Sequence, residues 1–249
     1  MLSCWCSNLP ILSLQSCGIT PALWATSKFK CFIESAIGME LQTFAFHILA
    51  MTFTDILLYT GIFIFAFTGA LKARTHRMDV LGGTVLAFVT AYGGGTLRDL
   101  LIGIRVGWMN DNIPLMLVGA AVIVVFLFKN NLPGFERTIF FTDAIGLGLF
   151  TAGGIERSLA NGISEPYSIV LGVMSATFGG LIADLLSGRQ PSLFQKGELY
   201  ATASAIGGII YLTLKHVGIA ANFSLAICVA IVVLVRIISR KKKIELPRI

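Results

Sequence analysis

Two aspartates stand inside long apolar stretches, each four residues after a glycine pair: Gly94-Gly95-x3-Asp99 and Gly179-Gly180-x3-Asp184. A carboxylate at membrane depth costs a few kcal/mol on insertion scales, so such groups face a cavity or a partner rather than lipid. The glycines before them, Gly93, Gly94 and Gly95 in the first place and Gly179 and Gly180 in the second, weaken helix propagation by about 1 kcal/mol each relative to alanine and leave the backbone uncovered. A helix that breaks there frees carbonyls, which suit a cation, and opens a half-helix N-terminus, which suits a carboxylate. The alternative is that the glycines serve only close helix packing. Arg98 adjoins Asp99, and its place in the second copy is taken by Ala183. Neighbours on a helix point about 100° apart, so Arg98 and Asp99 need not pair. Lys72 and Arg157 are possible supporting charges, bonded to an aspartate or a broken-helix carbonyl, or else snorkelling to headgroups.

These residues recur at a fixed offset of 85 positions. Gly94-Gly95-x3-Asp99-Leu100-Leu101-x-Gly103 aligns without a gap on Gly179-Gly180-x3-Asp184-Leu185-Leu186-x-Gly188, and the same offset pairs Phe65 with Phe150, Gly69 with Gly154 and Lys72 with Arg157. A single offset held over that length indicates an internal duplication.

The elements that carry the motifs are apolar stretches at roughly 55–73, 80–103, 113–128, 140–158, 166–187, 199–217 and 221–238, each near the length of a membrane crossing. With 55% hydrophobic and 13% charged residues and a mean hydropathy of +0.82, the chain reads as an all-α, multi-pass membrane protein with seven transmembrane helices. Residues 53–130 form repeat one, 138–217 repeat two, and 221–238 a seventh helix followed by a basic tail over 239–249. Three crossings per repeat make the two repeats inverted, related by a pseudo-two-fold axis in the membrane plane. Thirteen cations fall on one side: Lys72, Arg74, Arg77, Lys129, Arg137, Arg189, Lys196 and the six from Arg236 to Arg248. Four fall on the other, Arg98, Arg105, Arg157 and Lys215, so the positive-inside rule puts the C-terminus in the cytoplasm. The net charge of +6 is accounted for by that tail, and nucleic acid is not an expected partner; membrane lipid is.

Residues 1–50 do not fit the pattern and are expected to be a poorly ordered extension, with Met39 and Met51 as alternative starts and a helix over 41–54 as the competing reading. Enzyme signatures are absent: the three histidines are isolated, no HExxH, GxSxG or phosphate-binding run occurs, and no metal or cofactor site can be drawn from the five cysteines.

At GGGTLRDLLIG (93–103), preceded by GALKARTHRMDVLG (69–82), and again at DAIGLGLF (143–150) and ELYATASAIGGIIY (198–211), the chain resembles the bacterial branch of the trimeric intracellular cation channel family, also described as a glycine transporter domain family. The resemblance covers about 53–240. It implies a homotrimer in the bacterial inner (plasma) membrane, with a permeation path in each protomer where the second and fifth helices bend at Gly93, Gly94, Gly95, Gly179 and Gly180. The family pattern has three glycines and Arg-Asp in both copies, whereas the second copy here reads Phe178-Gly179-Gly180 and Ala183-Asp184. The expected activity is a monovalent cation (potassium) channel, because freed carbonyls and two carboxylates replace part of an ion's hydration shell. The alternatives are a secondary transporter of glycine or a similarly small amino acid, with Arg98 taking the carboxylate, and a non-transporting structural protein whose glycines serve trimer packing.

Overall fold

In the computed structural model, the described residues are 53–109, 112–127, 135–195 and 199–244. The expectations for residues 1–50 lie outside them. Seven α-helices occur among the described residues: α1 Phe53–Thr75, α2 Val80–Ile102, α3 Ile113–Leu127, α4 Phe135–Ala160, α5 Glu165–Leu186, α6 Tyr200–His216 and α7 Ala221–Lys242. Four of them, α2, α4 from Glu136, α5 and α7, are long and apolar enough to cross a membrane. The 15 residues of α3 rise only about 22 Å at 1.5 Å per residue, short of a full hydrocarbon core.

The apolar stretches locate the helices to within two residues except where a polar turn continues one. Phe135, Glu136, Arg137 and Thr138 add a turn to the start of α4, and Ser239 to Lys242 add one to the end of α7. The α7 extension is held from the side: Ser239 Oγ accepts the Leu199 N–H at 2.9 Å, and the Arg240 guanidinium lies 4.5 Å from the centre of the Phe140 ring. Cations in the last turn also match the negative end of the helix dipole.

The 85-residue offset governs details that hydropathy does not show. A short 3-10 turn follows α2 at Gly107–Met109 and another follows α5 at Ser192–Phe194, one offset apart. At the centre, Phe65 of α1 stacks on its own counterpart Phe150 of α4, centroids 4.8 Å apart and planes within 5°. One turn later, Gly69 brings α1 against Leu86 and Ala87 of α2, and Gly154 brings α4 against Gly172 and Ser175 of α5. Each repeat is thus a helix pair closed by a small residue, with the third helix, α3 or α6, laid beside it.

The copies differ where α1 turns into α2. Arg77 takes a left-handed backbone, φ 54°, at the position where repeat two has Gly162, φ 78°. A non-glycine residue there costs about 1–2 kcal/mol. Part of that gain is returned as unfolded-chain entropy. Arg77→Gly is therefore expected to raise stability by about 0.5–1 kcal/mol, measured as a shift in the unfolding midpoint of the purified protein; an unchanged or lowered midpoint contradicts it.

Candidate functional site

The glycine runs do not unwind their helices. Both α2 and α5 remain α-helical from end to end, through 92–97 and 177–182, against the expectation of glycine-broken helices. The missing side chains are used for approach instead. A Cβ on Gly94 would land on the carbonyl oxygen of Ser175, and one on Gly179 would land on the carbonyl oxygen of Thr90. Gly93 faces the Gly179 Cα, 3.4 Å from its would-be Cβ. The helices cross with backbone against backbone, within the protomer. Helix propensity loses to packing here because a weak local preference is outweighed when a whole crossing depends on it.

Thr90 and Ser175 are themselves one offset apart, so the two contacts are the same contact with the copies exchanged. The ion pairs follow the same rule. Lys72 Nζ of repeat one meets Asp184 Oδ1 of repeat two at 2.7 Å, and Arg157 Nε of repeat two meets Asp99 Oδ1 of repeat one at 3.0 Å. The second oxygen of each carboxylate takes a backbone N–H from the 3-10 turn eight residues on: Gly107 N to Asp99 Oδ2 and Ser192 N to Asp184 Oδ2, both 2.9 Å. Both aspartates are buried. A carboxylate anchored this way satisfies the demand that buried charge be paired and hydrogen-bonded.

The two ends of the crossing are not chemically equal. Helical phase left the pairing of Arg98 with Asp99 open; here Arg98 curls back onto Asp99, its Nε and Nη2 reaching Oδ1 at 3.0 and 2.8 Å while Nη1 donates to Ser175 Oγ at 3.0 Å. The length of the arginine side chain overrides the angular offset of adjacent positions. Repeat two has only Ala183 at that place. Its own addition is Asp143 on α4, where repeat one has Leu58, and Asp143 Oδ2 accepts from Arg236 Nη1 of α7 at 2.7 Å. Tyr200 donates to the other oxygen at 3.2 Å, and the Arg236 guanidinium lies between the Phe140 and Tyr200 rings, 4.7 and 4.6 Å from their centres. Gly180 makes room for the Tyr200 hydroxyl, which a Cβ there would approach to 2.8 Å. Arg236 is therefore no tail cation, as its sequence neighbours suggested, but a buried partner within the bundle.

Two cavities flank the crossing at opposite ends of α1, α4 and α7. One, about 300 Å³, is polar, with Lys72, Asp143, Asp184, Arg236 and Arg240 among its walls. The other, about 490 Å³, holds Gly95, Arg98, Asp99 and Arg157 and is otherwise mainly apolar. All the residues singled out by motif thus converge on the α2 and α5 crossing and its two flanking cavities. Asp143, Tyr200 and Arg236 were not among them. The signal for the charged pair was present, since Asp143 in TDAIG and Arg236 in VLVRII each interrupt an apolar run.

A family model described as glycine transporter matches this chain twice, at residues 55–130 and 140–216, one offset apart. A solved trimeric intracellular cation channel orthologue from Rhodobacter sphaeroides is 35% identical, covering 78% of this chain and all of that one, with a TM-score of 0.72. The chain belongs to the bacterial trimeric intracellular cation channel family. A prokaryotic channel of the family solved in 0.5 M KCl is 29% identical over 78% of this chain and 98% of its own, with a TM-score of 0.70. Among relatives known by sequence, UPF0126 membrane proteins of Vibrio cholerae and Deinococcus radiodurans are each 34% identical over 75% of this chain, covering 79% and 87% of their own lengths. As a member of the trimeric intracellular cation channel family, the chain is a multi-pass bacterial membrane protein of the channel and transport class rather than an enzyme.

Proposed function

We propose that the chain is a homotrimeric channel for monovalent cations, potassium foremost, in the bacterial inner membrane, with one permeation path per protomer along the α2 and α5 crossing. The observation that carries this reading is the pair of cavities at opposite ends of the helices that flank this crossing, one holding Asp184 and the other Asp99. A crossing seated on glycines opens by a small separation of two helices; within intact helices the Thr90 and Ser175 carbonyls would offer an ion only their second lone pairs. The repeats, 53–130 and 138–217, are read as inverted about an axis in the membrane plane: each has three helices, and the Lys72–Asp184 and Gly94–Ser175 contacts are each reciprocated one offset away. The C-terminus is assigned to the cytoplasm from the excess of cations on that side.

A carrier of glycine or a similarly small zwitterion is the second reading, and one observation favours it. Asp99, Asp143 and Asp184 each already hold a cation within 3.0 Å, so none of these three carboxylates is free to concentrate cations. Two half-paths that open in turn are also what alternating access requires.

Purified protein in liposomes separates the two when potassium current and labelled glycine uptake are measured on one preparation. Potassium current without glycine uptake is expected; saturable glycine uptake without current would replace the channel by the carrier. In the same assay Asp99→Asn should strongly reduce cation flux, because it leaves Arg98 and Arg157 as two uncompensated positive charges beside the path. Flux unchanged in Asp99→Asn would place the path elsewhere.

A further inference from the structure

The larger cavity carries a charge imbalance that neither a cation path nor the architecture of the crossing uses. Its floor has one carboxylate and two guanidinium groups: Asp99 between Arg98 and Arg157. Arg98 is consumed, with Nε and Nη2 on Asp99 and Nη1 on Ser175. Arg157 gives Asp99 only its Nε, and among the described residues its two Nη groups have no hydrogen-bond partner. Its side chain is 37% exposed and lines the cavity. Glu156, on the same wall, does not balance it, because Oε1 already takes the Tyr211 hydroxyl at 2.9 Å and the Lys215 ammonium at 2.6 Å. An arginine fork held in place by its own Nε and presenting two parallel donors is matched to a carboxylate.

Around that fork the wall is apolar and aromatic: Ile62, Tyr92, Trp108, Leu149 and Phe150. Trp108 is fixed by its Nε1–H on Thr96 Oγ1 at 3.0 Å and by an edge contact with Phe88, centroids 5.2 Å apart. A volume of about 490 Å³ is far more than an ion or glycine fills and falls in the range of sites for ring-sized ligands. The opposite cavity lacks the aromatic wall: its lining is mainly polar, and its Lys72 and Arg236 are each paired with a buried aspartate.

We propose that this cavity binds a monocarboxylate with an apolar, ring-sized body, the carboxylate on the Nη fork of Arg157 and the body against Tyr92, Trp108 and Phe150. The site goes beyond the proposed cation path and does not depend on it. Its occupant sits at one mouth of the crossing, beside Asp99.

Benzoate titrated calorimetrically into the purified full-length protein in detergent, against detergent alone, tests the site. Saturable binding of one benzoate per chain is expected, with benzylamine giving none. Arg157→Gln should weaken benzoate at least tenfold, and Arg157→Lys, which keeps the charge but not the fork, should fall between. Gly153→Leu offers a variant that leaves every guanidinium alone. A Cβ at Gly153 meets nothing closer than Leu58 Cδ1 at 3.8 Å, so the new side chain grows into the cavity, and benzoate binding should again drop at least tenfold. If Arg157→Gln does not fold, Gly153→Leu decides alone. No saturable benzoate binding, binding untouched by these substitutions, or equal binding of benzylamine overturns the proposal.

Discussion

Asp184→Ala is expected to cost about 3–5 kcal/mol of stability, the usual penalty for leaving one half of a buried ion pair behind. Lys72 and Asp184 are 5% and 4% exposed, and nothing else described lies on the Lys72 ammonium. The loss also strands Ser192, whose N–H and hydroxyl both donate to Asp184 Oδ2. Replacing both partners with apolar residues of similar volume, Lys72→Met with Asp184→Leu, should recover most of the loss, because the pair itself contributes little net stability once its desolvation is counted. The measurement is a double-mutant cycle on the unfolding midpoint in detergent. A single-variant cost below about 1 kcal/mol would mean that water reaches the pair in the membrane.

The second large effect concerns the crossing. Gly94→Leu and Gly179→Leu should each abolish flux, and Gly94→Ala should already cost about 1–3 kcal/mol as an overpacked contact. The reason is geometric: the first carbon added at Gly94 falls on the Ser175 carbonyl oxygen, and at Gly179 on that of Thr90. Backbone atoms of a helix cannot step aside as a flexible side chain would. Gly95→Ala is the control. Its Cβ would meet only Arg98 Nη2, at 3.8 Å, so stability should be nearly unchanged. Flux at the wild-type level in both leucine variants would show that permeation does not pass this crossing.

The sequence made the crossing legible as a place, but not its state. Motif spacing brought Gly94, Gly179, Asp99 and Asp184 to one site because the duplication preserved offsets, and reciprocal contacts require matched positions in both copies. Whether a glycine run breaks a helix or seats a neighbour depends on the partner backbone, which local propensity does not contain. The pairing of Arg98 with Asp99 was hidden for a related reason, since side-chain reach, not helical phase, closes it. Arg236 was concealed by company: five further cations follow it within 12 residues, and only the α7 register separates the one that enters the bundle. Asp143 had no counterpart in repeat one, so a search for repeated residues passed over it.

Those unrepeated residues have a further consequence. Had both copies stayed identical, reciprocal contacts would make the two mouths chemically alike apart from what α7 adds to each, Leu225 at one and Arg236 with Arg240 at the other. Arg98 opposite Ala183 and Asp143 opposite Leu58 remove that equivalence, one enriching its mouth in guanidinium and the other adding a carboxylate with its arginine from α7. Sidedness in this protein therefore resides in the positions where the copies have diverged, and Ala183→Arg, which gives the second copy the Arg-Asp of the first, would bring the chemistry of the two mouths closer together.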